Sequence, residues 1–250
     1  DSSFKMKFST RFQNLMISEM VLQDDFTNQK IATNFLVRRS RIKFDGFVHN
    51  PKIQYKMEFG LSNRDHAGEV PETRNTSNVV MDAVIKWNFA KNTYLWIGQT
   101  KLPGNRERVI SSQKLQFVDR SLVNSRFNID RDMGFQLRHH FNIGKMLFRE
   151  SVAISQGEGR NITAGNQDGG LEYTVRVEFL PFGKFTGKGD YFASDLKREK
   201  KPKLSFGATF DHNNNTNRSR GNLGSFISDY RTLNTVFGDL MFKYKGFSLA

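Results

Sequence analysis

Between residues 106 and 120 the sequence sets Arg106, Arg108, Lys114 and Arg120 against only Glu107 and Asp119, with neither clean alternation nor a capped helix. Such a run offers fixed positive charge, and its guanidinium forks suit the oxygens of phosphate particularly well. A second basic row lies in "RRSRIKFDGF", where Arg39, Arg41 and Lys43 fall on one face with Asp45 while Ile42 and Phe44 fall on the other. The bland reading of any one of these cations is a structural pair with an acid such as Glu58, Asp82, Glu172 or Glu178. For the basic set as a whole, a preference for anions is the stronger reading. Glu107 and Asp119 then serve to clamp the run through Arg106 or Arg120, and Lys7 and Arg11 equally suit an interfacial rim.

Covalent chemistry finds little support. His139 and His140 are adjacent, so in a strand they point to opposite faces and cannot chelate one metal together. His49, His66 and His212 stand at turns or loops without a spaced partner, and the chain has no cysteine. Asp24 and Asp25 read as solvated loop charges rather than an acid and base pair. "GEGR" at 157–160 lacks the Lys-Ser/Thr and the strand-to-helix setting of a phosphate-binding loop. The reading is a protein that is not an enzyme and holds no cofactor and no metal.

The elements that must position the cations are strands. "FKMKFSTRF", "KIQYKMEFGL", "MDAVIKWNF" and "LEYTVRVEF" each alternate apolar and polar residues, and about ten such segments occur, most near the 9 to 11 residues that a tilted strand needs to cross a bilayer. Helix-period stripes are nearly absent. The breaks "HNPK", "AKNT" and "NIGK" are short, whereas the polar stretches from 62, 155, 187 and 212 are long. Short turns on one side and long loops on the other describe a barrel of the outer-membrane type. Phe alone accounts for 24 residues, and aromatics gather at strand ends, as Trp87 with Phe89, Tyr94 with Trp96 and Phe179 with Phe182 do, in the manner of interfacial girdles.

At 250 residues and 28.9 kDa the chain is one large β domain or two small ones. A net charge of +13 calls for an anionic partner: nucleic acid, a membrane surface or small anions. No run of about 18 apolar residues occurs, and a mean hydropathy of -0.57 is compatible with a strand-crossing protein because half of each spanning strand is polar. "DSSFKMKF" at the start holds no signal peptide, which fits a mature terminus after cleavage or a chain that never had one.

"IGQTKLPGNRERVISSQKLQFVDRSLVNSRFN", "RDMGFQLRHHF" and "RRSRIKFDGFVHNPKIQYKMEFG" together resemble the phosphate-selective porin O and P family of Gram-negative outer membranes, over residues 1 to about 180. The resemblance implies an all-β fold: an antiparallel transmembrane β-barrel, 1–250 as a single domain, with 101–131 folded inward as a constriction loop. It implies a homotrimer in the cell outer membrane, among lipid and lipopolysaccharide, passing small anions such as phosphate. Lys101, Arg106, Arg108, Lys114, Arg120, Arg126 and Arg131 then supply charge at the constriction, with Arg39, Arg41 and Lys43 on the wall. "TVFGDLMFKYKGFSLA" reads as a strand, a Lys-Gly turn and the start of another strand, so the chain is expected to be the N-terminal part of a larger barrel. The alternatives are a structural barrel subunit of a larger envelope complex and a soluble basic β protein binding nucleic acid.

Overall fold

The computed structural model describes residues 3–250 except 22–29, 67–72, 75 and 164–169; Asp24 and Asp25 lie outside the described residues. Eleven strands follow one another in a single antiparallel sheet whose spatial order is the chain order. They are β1 (Phe4–Val21), β2 (Lys30–Val48), β3 (Asn50–Gly60), β4 (Val80–Ala90), β5 (Thr93–Lys101), β6 (Arg131–Ile143), β7 (Met146–Ser155), β8 (Glu172–Leu180), β9 (Lys203–Arg220), β10 (Leu223–Tyr244) and β11 (Phe247–Leu249). β1 and β11 are the two edges, so the sheet is not closed.

The sheet is inverted relative to a water-soluble sandwich. One face exposes Phe8, Phe12, Phe35, Ile85, Trp87, Phe135, Val152, Val175, Phe210 and Val236. The other buries Arg39, Asp82, Gln136, Thr174, Arg176, Glu178, Thr209 and Asp211. A face of this composition turned outward suits hydrocarbon, where the closed backbone ladder of a β-barrel leaves no peptide group unpaired. Phe141, Phe148, Phe179 and Phe206 form a stacked row across β6 to β9, with centroids 5.1, 4.8 and 6.4 Å apart, at the end of the sheet where the tight turns lie. That row contains Phe179 of the expected aromatic belt, whereas Trp96, also expected there, turns inward against Lys86 and Arg138.

Tight turns join β2 to β3, β4 to β5 and β6 to β7, with left-handed φ at His49 (65°), Asn92 (58°) and Gly144 (57°). Two loop assignments need correction. Residues 212–231, read as a long polar loop, are strand: they belong to β9 and β10, which meet at Gly221 and Asn222. At 18 and 22 residues these strands exceed what a bilayer requires, so their outer ends can be Asn-, Thr- and Ser-rich and still pair through the backbone. The stretch from 187 does lie in a long connection, residues 181–202, but at the tight-turn end of the sheet rather than the long-loop end.

Residues 102–130, between β5 and β6, lie against the polar face and carry two single-turn helices, α1 (Arg106–Val109) and α2 (Leu122–Arg126). The sequence showed no capped helix nearby, yet the Ser121 hydroxyl accepts from the Asn124 amide at 3.1 Å and caps α2. This segment reaches β1 through Arg11, whose guanidinium donates to Ser112 Oγ at 2.7 Å. It reaches β9 and β10 through Arg106. One segment touching strands near both edges means that the sheet curls around it. Ile110 packs with Leu147, Leu180, Phe185 and Met241 in a small apolar cluster beneath it.

Candidate functional site

The expected cations divide into two groups once they are placed. Arg39, Arg41, Lys101, Arg108 and Arg120 converge on a cavity of about 500 Å³ between the inward segment and β2 to β4. Arg106, Lys43 and Lys114 do not. Arg106 is 5% exposed and spent on structure, donating to Asp239 Oδ1 at 2.7 Å, Ser205 Oγ at 2.8 Å and Glu178 Oε1 at 3.2 Å. Lys43 pairs with Asp45 at 2.7 Å, and the Lys114 ammonium sits 4.0 Å over the Phe192 ring. Burial, then the nearby Lys188 and Lys43 charges, push Lys114 below its ordinary range, which marks a basic cluster at the loop tip.

Arg131, expected at the constriction, and Lys56, on the polar phase of its strand, also line the cavity, together with three cations that sequence reasoning did not select: Arg38, Arg64 and Arg160. Arg38 is there because of a β-bulge. The β1–β2 register passes from Gln13 opposite Arg39 to Asn14 opposite Val37, so Arg38 is an extra residue and two successive arginines face inward. Strict alternation cannot reveal this; the adjacent Arg-Arg pair was the only signal. Arg131 shares its sequence phase with outward-facing Met133 and Phe135, yet at the mouth of β6 it turns in to Asp82 Oδ2 at 3.1 Å. Arg64 and Arg160 come from the loops after β3 and β7 and had no motif to mark them.

Carboxylates answer only part of this charge. Ten cationic side chains line the cavity against Glu58, Asp65, Asp119 and Asp130, so a positive excess remains. Asp119 takes both Arg38 and Arg39, the latter at 2.6 Å, and so clamps the inward segment to β2 rather than to Arg106 or Arg120 as expected. Burial alone would raise the Asp119 carboxyl, but the Arg38 and Arg39 bonds outweigh it and hold it below the ordinary range. Glu107, the other expected clamp, accepts from the Ser121 amide and hydroxyl at 2.6 and 2.7 Å. Arg41 is held by Asp65 at 2.5 Å and Glu58 at 3.3 Å, and Arg108 by Asp130.

Lys101 and Arg120 are different. The Lys101 ammonium donates to the Arg108 and Ile110 carbonyls at 2.5 and 3.2 Å, and Arg120 donates to the Glu107 and Ile110 carbonyls, both at 2.7 Å. Neither has an ion pair among the described residues. Burial, and then the Arg108 charge, press the Arg120 guanidinium below its usual value, the direction expected of a cation among cations.

No group of three or more His, Asp or Glu side chains is arranged to hold a metal among the described residues. A family model described as "Phosphate-selective porin O and P" matches residues 13–188, more than half of the chain. The chain belongs to the phosphate-selective porin O and P family. No curated protein matches it. Among solved structures, a loop L8 deletion mutant of OmpT, an outer membrane protein of Vibrio cholerae, is similar at 10% identity and a TM-score of 0.28, over 98% of this chain and 89% of that one. Membership makes this chain a porin, a channel-forming β-barrel protein of the outer membrane, and sets aside the soluble nucleic-acid reading.

Proposed function

We propose that this porin is a passive diffusion channel for small anions, phosphate among them, with residues 101–131 as the constriction of its lumen. The observation that supports this most is the unmatched charge: ten cations against four carboxylates around the 500 Å³ cavity, with Lys101 and Arg120 held only by main-chain carbonyls. A buried cation whose hydrogen bonds leave its charge unneutralised lowers the cost of bringing an anion out of water. Arg39, Arg41, Arg108 and the bulged Arg38 then form the wall of the path, each already sharing its charge with a carboxylate and so holding a passing anion weakly enough to release it. Arg106 drops out of the pathway expected for it, and Arg38 and Arg160 join Arg131 there.

The same reading places the porin as a homotrimer in a Gram-negative outer membrane, its apolar face against lipid and its long loops toward lipopolysaccharide. Family membership is the support for that assembly, and the mass of the detergent-extracted complex tests it.

The decisive measurement is the reversal potential in a planar bilayer under a KCl gradient, repeated with phosphate. Anion-selective current blocked by phosphate is expected. In Lys101→Gln and Arg120→Gln the block should weaken by about tenfold each, the loss of one charged hydrogen bond of about 1.4 kcal/mol. Cation-selective or unselective current sinks the reading, and no current at all favours a structural barrel.

A further inference from the structure

At the long-loop end of the sheet the inner face gathers carboxyls. Asp132 of β6, Glu172 of β8 and Asp211 of β9 are 0, 0 and 2% exposed. None of them makes an ion pair among the described residues. The Glu172 carboxyl lies within hydrogen-bond reach of both the others. The register sets uncharged groups beside them: Thr100 opposite Asp132, Ser155 and Asn213 on either side of Glu172, and Thr174 and Thr235 on either side of Asp211. Cations on the same strands are committed elsewhere, Arg131 to Asp82 and Arg176 to Glu178 and Asp239. His212, next to Asp211, points to the opposite face, where its ring meets Asn234 at 2.7 Å. The connection after β7 adds the buried Glu158, and Arg160, which donates to the Asp65 carbonyl.

Acceptors outnumber donors in this cluster. Glu172 Oε2 accepts from Ser155 Oγ and Asn222 Nδ2, both at 3.2 Å, and Asp211 Oδ1 from Thr174 Oγ1 at 2.7 Å. Asp132 accepts from the Met133 and Gly157 amides at 2.7 and 2.5 Å. Glu172 Oε1 is buried and receives no donor from the described residues, and neither does Oδ1 of Asn213, itself 1% exposed. Asn213 is not free to turn round, because its Nδ2 donates to the Gly157 carbonyl at 2.8 Å. A carboxylate only accepts, so two carboxyls hydrogen-bond to each other only when one carries a proton. Gly157, with φ of 92°, lies directly on the cluster: a Cβ there would stand 2.6 Å from Asn213 Oδ1. Three residues further on, Arg160 reaches the 500 Å³ cavity.

We propose that Asp132, Glu172 and Asp211 share protons as a buried carboxyl latch, which holds the β7–β8 connection on the inner face near neutral pH and releases it as pH rises. One proton in each of the two carboxyl–carboxyl contacts supplies the donors that the neighbouring side chains do not, and cancels most of the charge. Loss of those protons leaves like charges in contact in a buried site with no cation to answer them. Gly157 and Ser155 are bonded to the same carboxyls, so repulsion there lifts the start of the connection and with it Arg160. The direction of the switch is latched in acid and loosened in alkali.

The test is infrared spectroscopy of the full-length porin in detergent and heavy water, which reads the carbonyl stretch of a protonated carboxyl directly. A protonated-carboxyl band is expected near neutral pH, disappearing as pH is raised. Glu172→Gln, whose amide can donate to Asp132 and Asp211 without titrating, should remove most of that band; Asp211→Asn should reduce it and serves if the first variant does not fold. In a planar bilayer the unmodified porin should show a step in single-channel conductance over the pH range in which the band is lost, and Glu172→Gln should lack that step, whereas titrating lysines act on both proteins alike. No band near neutral pH overturns the latch, as does a band that survives in both variants. A band that appears only after chelation with EDTA assigns the cluster to a divalent cation and also overturns it. A conductance step unchanged in Glu172→Gln overturns the release of the connection. Neither readout depends on ion selectivity, so failure of the latch and failure of the anion-channel reading remain distinguishable.

Discussion

At the scale of single residues, charge in this porin divides into cations that hold the fold and cations left over. Arg106 and Arg176 share Glu178 and Asp239, with Arg176 at 2.9 and 2.7 Å from them. Removing Arg106 leaves both carboxylates on Arg176 but each short of one charged hydrogen bond, so Arg106→Met should cost about 1.5–3 kcal/mol of stability. It should be read as a lower unfolding temperature of the detergent-solubilised barrel with little change in ion selectivity of the folded fraction. Asp119 gives a pH test. Its carboxyl is held below 3.8, so the clamp on Arg38 and Arg39 is present above that value and is lost as pH falls through the folded-state value. This clamp should contribute no change in conductance from pH 7 to about 4 and an acid step only below; Asp119→Asn should remove that step.

At the scale of elements, alternation made most strands legible, because Phe4, Met6 and Phe8, or Tyr173, Val175 and Val177, face one medium without interruption. It failed where that medium ends. The stretch "HNNNTNRSR" lies in β9 beyond the apolar band, and nothing in its composition distinguishes a solvated strand from a loop. The bulge at Arg38 escaped because one extra residue resets the phase without altering the residue types. The inward segment was legible as an excursion, but not which of its arginines would be consumed, since Glu178 and Asp239 are 72 and 133 positions from Arg106. Gly98 offers a test of strand geometry. It has φ of 123°, and a Cβ there would stand 2.2 Å from the Ala83 carbonyl oxygen of β4. Gly98→Ala should destabilise the β4–β5 pairing by about 1–3 kcal/mol, measured by the same thermal unfolding.

At the scale of the whole molecule, ten cations against four carboxylates line the inner cavity, so in the proposed channel any preference for anions belongs to the lumen's field as much as to any contact. Such a field is screened over about 10 Å at 0.1 M salt and about 3 Å at 1 M. The anion-to-cation permeability ratio should therefore fall when the bath is raised from 0.1 to 1 M KCl at a fixed gradient. A ratio indifferent to salt would locate selectivity in short-range coordination at Lys101 and Arg120 alone.

The stitching of residues 102–130 also sets an order of events during biogenesis. The segment is made after β1 and β2 but before β8, β9 and β10, and its anchors lie on both sides of it: Arg11 and Arg39 behind, Arg176, Asp239 and Arg220 ahead. Three of these five anchors do not exist until β8, β9 and β10 have been laid down. The segment therefore settles after the strands that pin it, as a keystone, and a chain halted before β10 should leave it unfastened at Arg106.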